Sequence, residues 1–411
     1  MKTIITILLI ISITIFLFVN FSSSNGDKTG IIVQEIKSPA GNSSSLPNLY
    51  ASDNGTLYLS WVEKREKNKH ALFYSIIKNE SWTLPVIIAE GNNWLINWAD
   101  FPSLTTFADG TIAAHFLDKS GSNTYAYDVN ITISEQNEKF LSKPIVPHHD
   151  GTKTEHGFVS MLPYSDDLIS IVWLDGRNYS KNHSNGTPKK EMTLRYATIN
   201  KSGKVSNDKL LDSRVCDCCQ TSAVRTQNGL IVVYRDRSKW EIRDIYYVRY
   251  KNGAWSKPQL LTADGWIING CPVNGPAIDA TGKNVAVAWY TAAKQVPKIK
   301  VIFSNDEGES FGSTILVDDG DPIGRVDVIL LSEKTALVSW IESTDYQAEL
   351  KIRKVNQDGS MDKSMIVTKL TASRAGGFPK MEAIHDKIYF AWTQTGKTSR
   401  VRTAMVKISN N

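Results

Sequence analysis

The amino-acid sequence predicts an all-β fold, a single β-propeller built from four-stranded blades, with seven blades favoured. Three observations support this prediction. A sequence unit recurs seven times at a spacing of just over fifty residues, each unit alternates apolar and polar residues as strands do, and the two ends of the chain are complementary. Repeats of this length with four strands each are typical of propeller blades.

The repeat is marked by an aromatic residue that ends the second strand of each unit. Successive markers are 55, 57, 61, 55, 51 and 52 residues apart. Period-two alternation precedes each marker, and turn residues such as Asp-Gly or Asn-Gly split the two segments, as in β-hairpins. We predict that the markers lie in the core between blades. They are Trp61, Phe116, Trp173, Tyr234, Trp289, Trp340 and Trp392.

A second hairpin follows the first in each unit, for example in residues 244–262 and 298–318. No long helical periodicity separates the units. Each unit therefore contains four strands, which is the content of one propeller blade.

The two ends of the chain complete one blade. The seventh unit has three strands, of which the last covers residues 400–408, and residues 30–38 read as an additional strand at the other end. Pairing the first strand with the last closes the ring and removes two exposed sheet edges. We predict one domain over residues 30–411, with six blades as the alternative if one weak unit is an insertion.

Residues 1–29 form a separate, mainly apolar segment. Lys2 precedes an apolar stretch that ends at Phe21 and is followed by serines. Such a stretch is typical of a secretory signal, and it is also about as long as a membrane span. We expect a signal peptide or an N-terminal membrane anchor, with membrane contact confined to this segment. Both alternatives predict an exported propeller, periplasmic or extracellular.

The charge composition argues against nucleic acid as a partner. The chain has 47 Lys and Arg against 42 Asp and Glu, a net charge of +5, and the charges are evenly spread. Nucleic-acid-binding domains concentrate basic residues on one face or in one run. The composition does not indicate an oligomeric state.

Residues 304–311 match the Asp-box pattern, Ser-x-Asp-x-Gly-x-x-aromatic. In such a turn the Asp side chain accepts bonds from backbone N–H groups, the Gly takes a positive φ, and the aromatic packs under the hairpin. The matching residues are Ser304, Asp306, Gly308 and Phe311.

This motif, together with segments 215–223, 234–238 and 270–276, resembles the sialidase-like Asp-box (BNR-repeat) propeller family. The similarity is to exported bacterial proteins of the exo-α-sialidase-like kind, and it extends over nearly the whole propeller. The resemblance implies a structural role for the Asp box. For function, it implies binding or hydrolysis of a glycan or cell-surface carbohydrate.

The resemblance also implies a set of catalytic groups. A sialidase holds its substrate carboxylate with arginines, because a planar guanidinium matches a planar anion, and it uses a Tyr–Glu pair with an acidic residue. Candidates lie where strands open onto loops: Arg177, Arg235 and Arg325 for the anion, and Asp236 or Asp327 for the acid. Replacing Arg235 with Ala is then expected to abolish turnover with little change in thermal unfolding.

A Phe/Tyr-Arg-Ile-Pro motif, typical of the first blade of sialidases, is absent from the sequence. Its absence keeps a second hypothesis open, a non-catalytic propeller that binds a glycan or a partner protein.

The loops that join the fourth strand of one unit to the first strand of the next are rich in Trp, His, Cys, Arg and Asp. In a propeller these loops gather at one mouth of the central channel, and loops on a rigid scaffold commonly bind ligands. We call this mouth the rim and predict the functional site there. Candidate substrate-binding residues are Trp98, Asp100, Glu155, Arg214, Trp266, Asn269, Asn274 and Arg374.

The four cysteines and three of the histidines also lie in rim loops. An even number of cysteines in an exported chain predicts disulfides, one of which would staple adjacent blades. Alternatively, sulfur and imidazole would form a metal site suited to copper or zinc; no other cofactor is expected. The residues concerned are Cys216, Cys218, Cys219, Cys271, His148, His149 and His156.

Overall fold

The computed structural model describes residues 33–134, 140, 143–180, 191–345 and 347–407. These residues form seven antiparallel sheets, arranged as the blades of a β-propeller. The predicted signal or anchor segment lies outside the described residues. Within the described ranges, no helix is both long enough and apolar enough to cross a membrane.

The first strand belongs to blade 7, and blades 1 to 3 follow it in the chain. The first strand is β1 (Val33–Ile36). Blade 1 contains β2 (Ser44–Ala51), β3 (Leu57–Lys64), β4 (His70–Lys78), β5 (Ser81–Trp82) and β6 (Val86–Gly91). Blade 2 contains β7 (Leu104–Thr106), β8 (Ile112–Lys119) and β9 (Tyr127–Ile133), and blade 3 contains β10 (His156–Ser165), β11 (Leu168–Asp175), β12 (Met192–Asn200) and β13 (Val205–Val215).

Blades 4 to 7 complete the ring. Blade 4 contains β14 (Ser222–Arg225), β15 (Gly229–Arg235), β16 (Ile245–Lys251), β17 (Ala254–Trp255) and β18 (Gln259–Leu260). Blade 5 contains β19 (Ala277–Thr281), β20 (Asn284–Thr291), β21 (Lys298–Ser304) and β22 (Ile315–Leu316). Blade 6 contains β23 (Pro322–Ser332), β24 (Thr335–Ser343), β25 (Ala348–Asn356) and β26 (Met365–Leu370), and blade 7 contains β27 (Lys380–Ile384), β28 (Lys387–Gln394) and β29 (Arg400–Lys407) together with β1.

Short 3₁₀ turns follow several of these strands. They are Glu66–Asn68, Arg177–Ser180, Ala293–Gln295 and Arg374–Gly376.

The ring closes as the sequence predicts. Strand β1 pairs antiparallel with β29, with Val33 opposite Val406 and Ile36 opposite Thr403. This pairing supplies the fourth strand of blade 7 and covers an edge that would otherwise be open. The prediction of seven blades is confirmed, and the six-bladed alternative is wrong.

The innermost strands of neighbouring blades contact one another around a central channel. Two carboxylates link these strands directly. Asp279 Oδ2 accepts a bond from the backbone N–H of Leu330 at 2.6 Å, and Asp327 Oδ2 accepts one from Met381 at 3.0 Å. Blade 5 is thereby tied to blade 6, and blade 6 to blade 7. The seven innermost strands are β2, β7, β10, β14, β19, β23 and β27.

All seven marker aromatics are buried between blades, as predicted. In three blades the marker's indole N–H donates to a carboxylate two residues further along, because a buried indole needs a partner. In these blades, the residue two positions after the marker is therefore an acid, and it lies at the rim end of the second strand. The pairs are Trp61 with Glu63 at 2.9 Å, Trp173 with Asp175 at 2.8 Å, and Trp340 with Glu342 at 2.5 Å.

The turn between β21 and β22 has the contacts expected of the Asp-box pattern. The Asp306 carboxylate accepts bonds from the hydroxyl of Ser304 at 2.7 Å and from the backbone N–H of Ser310 at 3.0 Å. Gly308 has a φ of 71°, which a side chain would disfavour. The ring of Phe311 packs edge-on against Tyr247, with centroids 5.2 Å apart. The motif is a structural turn on blade 5, on the side opposite the rim.

Candidate functional site

The four cysteines converge at the rim between blades 3, 4 and 5. Cys216 follows β13 directly, whereas Cys271 lies in the next rim loop, between β18 and β19. The sulfurs of Cys216 and Cys219 are 3.3 Å apart, and the sulfurs of Cys216, Cys218 and Cys219 all lie within 4.8 Å of one another. Side-chain hydrogen bonds also join Cys218 to Cys271. We call these four residues the thiol cluster.

A buried arginine favours ionisation of one sulfur in the thiol cluster. Arg243, which is 3% exposed, places Nη1 3.1 Å from Cys216 Sγ. Burial opposes ionisation, but hydrogen bonds from Cys218 and Cys219 and the Arg243 charge lower the pKa of Cys216 well below its usual value. A hydrogen bond from Cys218 also lowers the pKa of Cys271. The same contacts raise the pKa of Cys218, and burial with the Cys216 contact raises that of Cys219.

All four cysteines are free in the structure. Of the two sequence alternatives, the geometry here is that of an unbridged sulfur cluster and not of a disulfide staple. The short distance between the Cys216 and Cys219 sulfurs makes that pair the closest to a bridge.

The histidines form a different cluster, at the rim between blades 2 and 3. His148 and His156 stack on each other with ring centroids 3.8 Å apart, and Asp128, Asp150 and Asp175 surround them. Within the described residues, no ligand group of three combines a cysteine sulfur with a histidine nitrogen. The expectation that these histidines complete the thiolate site is therefore not met. His149 is exposed and contributes to neither cluster.

Between the two clusters lies a tyrosine shared by two carboxyl groups. The Tyr127 hydroxyl lies 3.0 Å from Asp100 Oδ2 and 2.8 Å from Glu155 Oε1. Burial raises the pKa of Asp100 to about 7, and burial with the charges of Asp100, Asp217 and Cys271 raises the pKa of Glu155 to about 8. Near neutral pH the pair therefore holds at least one proton, as an acid/base pair requires. Glu155 bonds Tyr127 and not its neighbour His156.

A salt-bridge network adjoins the thiol cluster. Asp217 accepts bonds from Arg237 Nη1 at 3.1 Å to each oxygen, and Arg237 Nη2 donates to Glu241 at 2.9 Å. Glu241 also pairs with Arg243, which contacts Cys216. Burial, and then the Asp217 charge and hydrogen bond, raise the pKa of Tyr179.

The predicted catalytic arginines do not meet. Arg235, 1% exposed, donates to the carbonyls of Asn274, Arg243 and Tyr290 and connects blades 4 and 5. Arg325, 5% exposed, donates to the carbonyls of Ser373 and Gly377 and connects blades 6 and 7.

The third predicted arginine and the two predicted acids are also held by neighbours in their own surroundings. Arg177 binds Asp175 through Nε and Nη2, each at 2.7 Å. Asp236 has a pKa raised to about 7 by burial, and Asp327 bonds backbone N–H groups in the channel. Arg235 and Arg325 share Asn274 as a hydrogen-bond partner, but their guanidinium groups donate to backbone carbonyls, whereas that of Arg177 pairs with Asp175.

The predicted substrate-binding aromatics are also packed. Trp98 stacks on Phe378 with centroids 6.0 Å apart and carries the guanidinium groups of Arg325 and Arg374 over its ring. Trp266 is 6% exposed and lies under Arg235. Both rings pack against arginines and other aromatics of the rim.

The remaining predicted substrate-binding residues differ in exposure. Asn274 is buried and accepts the Arg325 backbone N–H, and Arg214 forms ion pairs with Glu191 and Glu241. Asn269 and Arg374 are exposed at the rim. Asp100 and Glu155 lie together at Tyr127, as described above.

The central channel contains a cavity of about 830 Å³. It is lined by the innermost strands, including the carboxylates of Asp279, Asp327 and Glu382. Asp100 also lines it, whereas neither the cysteines nor the histidines of the rim do. The channel and the two rim clusters are therefore separate surfaces that meet near Asp100.

Several site residues escape sequence reasoning. Tyr127 and Asp128 lie within β9, where they look like ordinary strand residues. Arg243 and Asp217 look like ordinary surface charges in loops. Asp150 and Asp175 can be recognised as candidate site residues from the sequence, because Asp150 follows His148 closely and Asp175 follows a marker tryptophan.

No family model and no curated protein matches this chain. Solved structures do match its fold. The polysaccharide lyase Uly1 aligns with a TM-score of 0.54 at 9% identity, over 95% of this chain and 94% of that one. The α-L-arabinofuranosidase Arb93A from Fusarium graminearum aligns with a TM-score of 0.47 at 12% identity, over 94% and 99%.

A Hadza microbial sialidase, Hz136, aligns with a TM-score of 0.44 at 13% identity, over 73% of this chain. This chain spans 63% of the length of that sialidase. At 9% identity, the match to Uly1 shows a shared fold alone.

Proposed function

We propose that this protein binds a soft or borderline metal ion, Cu(I) or Zn²⁺, through the thiol cluster at its rim. The observation that supports the proposal is the convergence of three sulfurs, those of Cys216, Cys218 and Cys219, with Cys271 of the next rim loop close enough to influence the pKa of Cys218. Thiolates favour these ions, and tetrahedral zinc takes four such ligands. The proposal includes export directed by residues 1–29, which would place the thiol cluster outside the cytoplasm.

The surroundings of the cluster suit a bound thiolate centre. Arg243 donates to Cys216, and Arg235 lies close enough to lower the pKa of Cys219, although burial and Cys216 act more strongly in the opposite direction. These guanidinium groups offset the negative charge that four thiolates would bring to one ion. The two loops are held by rigid blades, so the ligand positions are preorganised.

The test measures thiols and metal together on protein purified from an oxidising compartment without chelator. We expect reactive thiols and about one equivalent of Cu(I) or Zn²⁺, and loss of that equivalent in Cys219→Ser. Asn269→Ala is the matched control, because Asn269 is exposed in the same loop as Cys271. Two disulfides and no bound metal would reject the proposal.

A second candidate function is glycan binding or hydrolysis at the same rim, including the sialidase-like activity implied by the family resemblance. The Tyr127–Glu155 hydrogen bond at 2.8 Å favours it, because a sialidase-like site uses a Tyr–Glu pair with a nearby acid, here Asp100. Structurally similar proteins include a sialidase, a polysaccharide lyase and an arabinofuranosidase.

The test combines a glycan-binding screen with measurement of released sugar. Glu155→Gln should abolish release and leave folding unchanged, with His149→Ala as a control on an exposed residue nearby. Binding without release would support the non-catalytic alternative. Neither binding nor release would reject this function and leave the metal proposal untouched.

A further inference from the structure

We propose a second metal site, formed by Asp128, His148 and His156, that binds a divalent first-row transition-metal ion such as Zn²⁺ through nitrogen and oxygen. It is independent of the thiol cluster, since the two ligand groups share no residue. Two imidazoles and one carboxylate form a common ligand set for such ions.

The chain places the three ligands at the junction of blades 2 and 3. Asp128 is the second residue of β9, and His156 is the first residue of β10. His148 lies in the loop between these strands. Its ring stacks on that of His156 at 3.8 Å with an interplanar angle of 7°, so one ring has to turn before both imidazoles direct a nitrogen at the same ion.

The donor atoms have suitable spacing for one shared ion. His156 Nδ1 lies 3.4 Å from Asp128 Oδ1, and His148 Nε2 lies 4.0 Å from the same oxygen. All three atoms lie within 4.8 Å of one another. Ligands at bond lengths of about 2.0–2.2 Å around a tetrahedral ion are roughly 3.3–3.6 Å apart, so small side-chain shifts close the site.

Two of these donor atoms are buried and have no hydrogen-bond partner among the described residues. They are His148 Nε2 and Asp128 Oδ1, and Asp128 Oδ1 has in addition an ion-pair contact with His156 Nδ1 at 3.4 Å. The His148 side chain is 5% exposed. Buried polar atoms without partners are rare, because leaving them unsatisfied costs about 1–3 kcal/mol each. An ion bound at this point satisfies both.

A second carboxylate, that of Asp150, contacts both rings on the side away from Asp128. Asp150 Oδ2 lies 3.1 Å from His156 Nε2 and 3.6 Å from His148 Nδ1. Metal-binding histidines usually bond a carboxylate through their second nitrogen, which fixes the tautomer and the ring orientation. Asp150 is itself fixed by the backbone N–H of Thr152 at 2.9 Å.

The charges around the site favour a divalent cation. Three carboxylates, those of Asp128, Asp150 and Asp175, face the two imidazoles, and Arg177 supplies one nearby positive charge. A divalent ion with neutral histidines balances the remaining charge. His156 Nδ1 also lies 3.3 Å from the Tyr127 carbonyl, a bond that the metal would replace.

The test uses the whole exported protein loaded with Co²⁺ and with Zn²⁺. Co²⁺ bound by the thiol cluster gives thiolate–cobalt charge-transfer absorption. Co²⁺ bound by nitrogen and oxygen ligands gives only weak visible bands, so the two sites can be distinguished in one spectrum. We expect His148→Ala and Asp128→Asn to remove one equivalent of metal and the weak bands, with the charge-transfer absorption unchanged. Asp150→Asn should weaken binding by about 10- to 100-fold.

His149→Ala is the matched control, because His149 is adjacent in sequence but exposed. It should bind like the unaltered protein. Asp128→Asn nearly preserves side-chain shape, and the Zn²⁺-induced rise in melting temperature checks each variant that folds. Equal metal content in the unaltered protein, His148→Ala and Asp128→Asn would overturn the proposal, whatever the thiol cluster does.

Discussion

The Arg235→Met substitution tests whether the Arg235 side chain has a structural or a catalytic role. In the structure, Arg235 directs Nε, Nη1 and Nη2 at three buried carbonyls, with distances of 2.6–3.0 Å. Its guanidinium also lies 4.8 Å from the ring centre of Trp266. Met fills a similar volume but donates no hydrogen bond, so the carbonyls of Asn274, Arg243 and Tyr290 lose their partner.

The magnitude follows from those contacts. Each unsatisfied buried carbonyl costs about 1–3 kcal/mol, and the contact with Trp266 contributes about 0.5–2 kcal/mol. Met also removes a buried charge, which recovers part of the loss. We expect the free energy of unfolding to fall by about 3–5 kcal/mol, a large share of the ~5–15 kcal/mol that proteins typically have.

The assay is equilibrium unfolding in urea, followed by tryptophan fluorescence. Arg400→Met is the control, because Arg400 is exposed in β29 and such changes usually shift stability by less than about 0.5 kcal/mol. If Arg235→Met unfolds within about 1 kcal/mol of the unaltered protein, the structural argument fails. Loss of turnover alone would then restore the catalytic role that the family resemblance implies.

Two further predictions concern the channel and blade 6. Burial, with the charges of Asp279 and Asp327, raises the pKa of Glu382 to about 8. Its contribution to stability is therefore complete below about pH 4.5 and is lost as pH rises toward 8. Glu382→Gln should flatten the decline in unfolding free energy over this range, by up to about 1.4 kcal/mol per pH unit; an unchanged pH profile would contradict the burial argument. Gly324→Ala should cost about 2–4 kcal/mol, because φ is +100° and the new Cβ would lie 2.3 Å from Asn274 Oδ1. Gly110→Ala, with φ +87° and open space, isolates the backbone cost alone; equal losses in both variants would exclude the clash.

The fold could be predicted from the sequence because the residues that define each blade recur periodically. Each marker aromatic recurs at nearly constant spacing, and each is buried between blades. Strand β1 was recognisable because the seventh unit lacked one strand and the N-terminal segment supplied it. Such features depend on local alternation and on counting, and neither requires distances between remote residues.

The site could be predicted from the sequence only in part. The composition of the rim loops identified them as candidates, but it did not show which residues contact one another. Sequence alone suggested the cysteines, and the structure brings their sulfurs together. It also suggested Arg235 and Arg325 as anion ligands, whereas both donate to backbone carbonyls of neighbouring blades. An arginine at the end of a strand has the same appearance in sequence whether it faces solvent or crosses to the next blade.

The rim is chemically asymmetric, and the propeller architecture explains how this arises. Every blade offers the same position at the rim end of its second strand, where the marker pattern tends to place an acid. In blades 1 and 6 these acids, Glu63 and Glu342, bond the marker tryptophan and a nearby backbone N–H. In blade 3, Asp175 bonds Trp173 and Arg177 and also lies 3.8 Å from His156.

The same structural position therefore becomes part of a polar cluster where the adjoining rim loop supplies histidines. The next loop along the ring supplies Cys216, Cys218 and Cys219, and the one after it supplies Cys271. At blade 6, Arg325 packs against the ring of Trp98, and this packing contact takes the place that the polar clusters have at the other rim loops. A common scaffold with loops of different composition thus confines two potential metal sites to consecutive blades. For this reason, ligand substitutions in one cluster should leave the other cluster and the ring intact.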